Sequence, residues 1–267
     1  MKPSSYRYPG EISTLYKTLF LVFLVIVITS TATFFTSALF IALAVAITFI
    51  LNRSHHEDLI AHAVQVNPQT LPELNKLITA CAKKLNVHNY EVYVTRNRQL
   101  NAYTFGIYNP KVIVLYSSLL EIMDRDELAF IIGHELGHIA LGHTKLNSLV
   151  GGMAGIPSSG LASAILNFAF LGWNRACEYS ADRAGVLANC KPEKAISALV
   201  KLVAGKSGMT KQGLLRAFQQ IDAEDDSWLG NFNEVFASHP LLIKRIEQIH
   251  TYSHTSAYQR LLTKEET

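Results

Sequence analysis

The sequence predicts a mostly helical α+β protein, with a small sheet in its main domain and a transmembrane helical hairpin before it. Residues 18–51 contain no charged residue, proline or glycine, which is typical of membrane-spanning helices. From residue 70 onward apolar residues recur at helical spacing, and residues 90–95 alternate as a strand does. These patterns predict a membrane anchor at 1–54 and one domain at 55–267.

The composition narrows the class of protein. Hydrophobic residues make up 49% of the 267 residues and charged residues 17%, whereas about 25% charged is usual in soluble domains. This balance favours attachment to a lipid bilayer. The net charge of +3 is small and no basic patch is interleaved with aromatics, so nucleic acid is not an expected partner. Cys81, Cys177 and Cys190 have no C-x-x-C spacing, which argues against a disulfide framework or a cysteine zinc site and fits a reducing compartment.

The apolar run is too long for one straight crossing. As a single helix it would measure about 51 Å, against a hydrocarbon core of about 30 Å. A turn in the polar patch 29–33 gives two short transmembrane helices at about 12–30 and 34–51. The patch lacks glycine, proline and asparagine, so a single tilted span with a helical extension is the alternative.

The charges that flank this hairpin predict its orientation. Lys2, Arg7 and Lys17 precede it and Arg53 follows it, while the proposed turn carries no charge. By the positive-inside rule, both ends and the following domain are expected on the cytoplasmic side of the membrane. The membrane is expected to be a bacterial-type inner membrane.

The following domain opens with a helix. Thr70 and Glu73 have the spacing of a capping box, and a buried face is predicted from periodicity. That face comprises Leu74, Leu77, Ile78, Cys81 and Leu85. Three strands are expected at 90–95, 101–105 and 112–116, and an amphipathic helix at 240–249.

An H-E-x-x-H motif dominates the middle of the chain. On a helix, His134 and His138 lie on one face and can bind one metal ion, while Glu135 stands beside it within reach of a water molecule. Asp124 and Glu127 predict a capping box at the start of this helix. A chance match on a buried helix is the alternative, but the helical context favours the core of a zinc peptidase.

A catalytic zinc site needs a third protein ligand. His143 is one residue out of register with the metzincin pattern, which disfavours that class. Glu178 on a later helix can bind the metal, and Asp182 on the same face can accept a hydrogen bond from the free ring nitrogen of a ligand histidine. The alternative for Glu178 is an exposed carboxylate paired with Arg175 or Arg183.

Four motifs in this order give the chain its resemblance to a known family. They are 101–106, 134–138, 178–182 and 238–240 followed by Arg245. The set resembles the HtpX-type membrane zinc metallopeptidases, relatives of the CAAX prenyl endopeptidases. The resemblance implies a gluzincin fold with one zinc per chain, bound by His134, His138 and Glu178, and with Glu135 as general base.

Further roles rest on the resemblance alone. His239 and Arg245 match positions that face the active site, where they would act as catalytic residues stabilising the oxyanion. Without the family, His239 and the following proline would indicate only the start of a helix. Asn101, Ala102 and Tyr103 belong to a segment that binds extended substrate in the resembled family.

Other segments leave alternatives open. The apolar insertion 146–173 is broken by glycine and proline, and it is either a re-entrant, membrane-dipping hairpin or a lid within the domain. His55, His56 and His62 follow the hairpin without the spacing of a second metal cluster, and the same holds for His250 and His254.

The function predicted from these features is that of a membrane-anchored zinc endopeptidase acting on misfolded or membrane proteins in quality control. Its partners would be protein or peptide substrates and the bilayer, with the oligomeric state left open. One alternative is a proteolytically silent zinc-binding scaffold, which a general base such as Glu135 disfavours. The other is a narrow-specificity protease for a lipidated peptide, which needs more membrane spans than this sequence predicts.

Overall fold

A computed structural model describes residues 1–32, 36–150, 161–206 and 240–263. The described residues form ten α-helices and a four-stranded sheet, so the predicted mostly helical α+β class is confirmed. The strands are β1 Val64–Gln65, β2 Tyr90–Thr95, β3 Ala102–Phe105 and β4 Lys111–Tyr116. The helices are α1 Glu11–Ala32, α2 Thr36–His62, α3 Pro72–Leu85, α4 Ser117–Ile122, α5 Arg125–Ala140, α6 His143–Val150, α7 Leu161–Asn189, α8 Pro192–Lys206, α9 Pro240–Ser253 and α10 Ser256–Thr263.

Helix α1 is long and apolar enough to cross a bilayer. It has 22 residues, an 18-residue window within it has a mean hydropathy of 2.2, and most of its surface is exposed, as Phe20 and Phe23 illustrate. It is the one helix in the described ranges that meets this criterion. Helix α2 packs against α1 and continues to His62, so the predicted boundary at residue 54 falls inside a continuous helix. The crossing by residues 34–51 stays a prediction.

The residues before α1 pack on the main domain. Tyr6 is fully buried in the principal hydrophobic core, and the Arg7 side chain donates a hydrogen bond of 3.0 Å to the carbonyl of Leu141. Glu11, in the first turn of α1, is also buried. The segment that leads into α1 therefore contacts the main domain.

The sheet has the strand order β1-β2-β4-β3. The central pair, β2 and β4, is parallel, while β1 and β3 pair antiparallel with their neighbours. Strand β3 pairs only with β4 among the described strands, with Tyr103 opposite Val114 and Thr104 opposite Ile113. It is an edge strand, and its position beside α5 places it next to the H-E-x-x-H motif.

Helices α5 and α7 cross at very short distance because small residues line their contact. A Cβ atom added at Gly133 would lie 2.4 Å from the Cβ of Ala188, and one at Gly137 would lie 2.6 Å from that of Ala184. Such distances leave no space for a larger side chain at either glycine. The crossing fixes the two histidines of α5 against the carboxylates of α7.

The two predicted capping boxes have different outcomes. The Asp124 side chain accepts hydrogen bonds from the backbone of α5, and the Asp124 N–H donates one to the Glu127 carboxylate, as predicted. The capping box at Thr70 is wrong: the N-cap of α3 is Leu71, and the Thr70 hydroxyl donates to the carbonyl of Gln65. The predicted buried face of α3 is largely confirmed, since only Leu77 of its five members is half-buried.

Candidate metal centre

Three side chains converge between α5 and α7. The Nε2 atoms of His134 and His138 are 3.1 Å apart, and the Glu178 carboxylate oxygens lie 3.6 and 3.5 Å from them. One ligand atom from each residue lies within 4.8 Å of the others. The spacing i, i+4 places both imidazoles on one face of α5, and the tight crossing brings the Glu178 face of α7 against them.

A carboxylate and a guanidinium support the first histidine. His134 Nδ1 donates to Asp182 Oδ1 at 3.0 Å, and Arg245 of α9 donates to both oxygens of Asp182 at 2.6 and 2.8 Å. Arg245 Nη1 also lies 3.0 Å from Glu178 Oε2. A bidentate guanidinium holds carboxylates in a fixed orientation, so Arg245 positions both Glu178 and Asp182.

The second histidine has a different support. His138 Nδ1 lies 3.0 Å from Nδ1 of His143, and Nε2 of His143 lies 3.1 Å from Oε1 of Glu11. His143 and Glu11 are both buried. The sequence predicts neither residue at the site, since His143 is out of register with the metzincin pattern and Glu11 belongs to no motif.

The electrostatics of this cluster favour a cation between the ligand atoms. Burial opposes the charged forms of Glu178 and Asp182, but the Arg245 guanidinium and the neighbouring histidines together outweigh it and hold the pKa of both carboxyls below its usual range. Burial also opposes a charged His138, yet the carboxylates of Glu178 and Glu135 raise the pKa of its imidazole. Burial lowers the pKa of His143 to about 4, so that ring is neutral at pH 7.

Glu135 is held beside the two histidines by a contact with the edge strand. The Thr104 hydroxyl donates a hydrogen bond of 2.6 Å to Glu135 Oε2. Both residues line a cavity of about 310 Å³ that reaches the ligand atoms. Thr104 lies within the motif 101–106, but the sequence assigns it no role of its own, because nothing in that motif shows which of its side chains contacts Glu135.

Residues 68–253 match the sequence profile of peptidase family M48. The chain belongs to this family. It is 32% identical to the plastoglobule-localized metallopeptidase 48, chloroplastic, of Arabidopsis thaliana over 77% of its own length, and 26% identical to a protease HtpX homolog of Streptococcus gordonii over 79%. A CAAX prenyl protease 1 homolog of Dictyostelium discoideum is 36% identical over 29% of the chain. The predicted resemblance to HtpX-type peptidases is confirmed.

The relatives differ in how much of their length the M48 chain covers. It spans 64% of the Arabidopsis protein and 20% of the Dictyostelium protein, but 84% of the streptococcal one. As a member of a metallopeptidase family, the chain is expected to use a metal ion, and the converging ligand atoms are a candidate site for it.

The donor set of this M48 chain fits zinc. When the Nδ1 protons point outward, to Asp182 and to His143, the two Nε2 lone pairs face each other beside the Glu178 carboxylate. That arrangement is repulsive unless a cation lies between them. Zinc binds histidine nitrogen at about 2.0–2.1 Å, which sets two such nitrogens about 3.3 Å apart, and the observed separation of 3.1 Å is close to this.

Of the remaining predicted site residues, some line the cavity and one lies outside the described part of the chain. Asn101, Ala102 and Tyr103 line the cavity, as does Arg245. The Tyr103 hydroxyl is hydrogen-bonded to His55 of α2 at 2.8 Å. His239 lies outside the described residues, as do residues 151–160 of the apolar insertion.

Proposed function

We propose that the chain is a membrane-anchored zinc endopeptidase that hydrolyses peptide bonds of misfolded or membrane proteins. The observation that carries the proposal is the convergence of His134, His138 and Glu178 in a cavity that also contains the Glu135 carboxylate. A purely structural zinc site is closed by four protein ligands and has no use for a base. Three ligands beside a carboxylate and an open cavity are typical of hydrolysis.

The zinc would be held by His134, His138 and Glu178. When bound, it lowers the pKa of a water molecule and polarises the scissile carbonyl. Glu135 accepts the proton of the attacking water and passes it to the leaving amine. Thr104 keeps one oxygen of Glu135 in place through its hydrogen bond.

Arg245 and His239 are the candidates for stabilising negative charge on the carbonyl oxygen. Arg245 lines the cavity, but its donors already engage Glu178 and Asp182. Its contacts support a positioning role for these carboxylates, and any help to the oxyanion would come in addition. The role of His239 rests on the family resemblance alone.

Substrate would bind in extended form along β3. An edge strand offers main-chain hydrogen bonds that do not depend on side-chain identity, and Asn101, Ala102 and Tyr103 line the same cavity as the ligand atoms. Thr144 Oγ1 and Asn147 Oδ1 also lie in its wall, buried and without a hydrogen-bond partner in the described part of the chain. These two groups are available to polar atoms of a bound peptide.

A membrane anchor favours substrates that lie in or close to the bilayer. Helix α1 is long enough to cross it, and the flanking basic residues favour a catalytic domain on the cytoplasmic side. Proteins that lie in or unfold near that membrane would reach the cavity most readily.

The test is zinc content and cleavage of an unfolded test protein in detergent. We expect one zinc per wild-type chain. Glu135→Gln should keep the zinc and lose activity by about 10²-fold or more, since it removes the general base. Glu178→Ala should lose zinc, and Glu73→Gln, an exposed carboxylate in the first turn of α3, should behave as wild type.

Two outcomes contradict the proposal. If Glu135→Gln cleaves at the wild-type rate, the base assignment and the peptidase mechanism fail. If the wild type binds zinc but cleaves neither the unfolded protein nor a membrane protein, a silent scaffold or a protease of narrow specificity explains the site better.

A further inference from the structure

A buried chain of polar contacts leads from the second histidine to the first turn of the apolar helix. His138 contacts His143, the first residue of α6, and His143 contacts Glu11, the first residue of α1. The side chains of His143 and Glu11 are each 1% exposed. Residues 132 positions apart in the chain are thus joined in the interior, next to a proposed metal ligand.

Binding of His138 to the proposed metal ion would set the direction of these hydrogen bonds. With Nε2 of His138 on a metal ion, its Nδ1 carries the proton and donates. The Nδ1 of His143 must then accept, so its own proton is on Nε2 and is donated to Glu11. A carboxylate only accepts, and it therefore fixes the tautomer of both rings.

Glu11 is held rigidly for this role. Its oxygens also accept from Arg7 and from the Ser180 hydroxyl, and the Tyr8 N–H donates to Ser180 at 2.8 Å. A buried carboxylate is tolerated when its lone pairs are satisfied by such donors. The residues before α1 thus build the environment of Glu11 together with α7.

We infer that Glu11 and His143 are positioning residues of the metal centre, which fix the tautomer and orientation of His138 as Asp182 does for His134. The inference rests on the proposed zinc site and deepens it. The apolar N-terminal helix is then attached to the metal centre through its own first turn. Its displacement would release the support of one zinc ligand.

A second metal ion is a poorer explanation of the same cluster. Ligand atoms of Glu11, His143 and Cys177 lie within 4.8 Å of one another. However, both nitrogens of His143 and both oxygens of Glu11 already have partners. Burial also raises the pKa of the Cys177 thiol, which keeps it protonated.

The experiment measures the Kd for zinc by chelator competition, on the full chain in detergent. We expect Glu11→Ala and His143→Ala each to weaken zinc binding about 10–100-fold, the usual effect of removing such a partner. The double variant should be no weaker than His143→Ala alone, because both residues act through one contact. Glu11→Gln keeps an acceptor for His143 and should lose less, and Glu73→Gln is the matched control for a glutamate in the first turn of a helix.

The outcomes separate this inference from the proposed function. If the wild type binds zinc and cleaves but Glu11→Ala and His143→Ala keep its Kd, only the inference is overturned. It is also overturned if the losses in the two single variants multiply in the double variant, or if only the Tm of the metal-free protein falls. If Glu11→Ala does not fold, His143→Ala compared with Glu11→Gln decides. A wild type that binds no zinc overturns the proposed function itself.

Discussion

A hydroxyl of the edge strand holds the Glu135 carboxylate in position. Thr104→Val keeps the shape of the side chain and removes the donor of the 2.6 Å hydrogen bond to the carboxylate. A hydrogen bond to a charged group contributes roughly 1.5–3 kcal/mol, so we expect kcat to fall about tenfold or more while zinc content is unchanged. Steady-state cleavage of a fluorogenic peptide measures this.

Thr104→Ser is the control for this prediction. It restores the hydroxyl and should recover most of the activity. Equal activity in Thr104→Val and wild type would show that Glu135 needs no such support. A loss of zinc in Thr104→Val would instead mean that the substitution disturbs the metal ligands.

Spacing along a helix predicts the metal ligands and Asp182, and the family resemblance adds Arg245 and the edge strand. The contacts of Glu11, His143 and Thr104 with the site are not predicted. His134 and His138, and likewise Glu178 and Asp182, are related by i, i+4 spacing, which can be read without a structure. Glu11 has no pattern that points to the site, and its contact with His143 depends on how α1 packs against α7. Contacts of this kind are fixed by tertiary packing.

The close packing of α5 against α7 determines the positions of the proposed metal ligands. Gly133→Ala would force the two helices apart, because its Cβ would lie 2.4 Å from Ala188 Cβ and 3.0 Å from Gly185 Cα. Overpacking costs about 1–3 kcal/mol, which exceeds the gain of up to about 1 kcal/mol in helix propensity. We expect a lower Tm together with weaker zinc binding, measured by thermal unfolding and chelator competition.

Gly172→Ala provides the matched control on α7, at a position that faces α1 and not α5. Its added Cβ would be 3.6 Å from Thr14 Cγ2, an ordinary contact, so the gain in helix propensity should leave the Tm unchanged or slightly raised. If both substitutions raise the Tm, the close crossing is not what holds the site together.

Elements with local signals were the ones that the sequence predicted best. The capping box of α5 involves Asp124 and Glu127 alone, and it forms as predicted. At α3 a competing local turn forms instead: the Asn67 side chain accepts from the Thr70 N–H, and the Thr70 hydroxyl turns to the Gln65 carbonyl. The spacing of Thr70 and Glu73 does not show that this local turn competes with the capping box.

At the scale of the whole molecule, the main domain contacts both α1 and α2. Glu11 at the start of α1 contacts His143, and His55 on α2 contacts Tyr103 of the edge strand. If α1 crosses the bilayer, α2 has to return to the same side for both contacts to exist. Two spans therefore stay the prediction for this chain, on the condition that α1 crosses.

This topology predicts which thiols face each side of the membrane. Cys190 is exposed on the main domain, whereas Thr31 is exposed near the far end of α1. In inner-membrane vesicles, an impermeant maleimide should label Cys190 only when they are inside-out. In a Cys190→Ser background, it should label Thr31→Cys only when they are right-side-out. Labelling of both from one side would show that α1 does not cross, and the reverse pattern would overturn the orientation derived from the flanking charges.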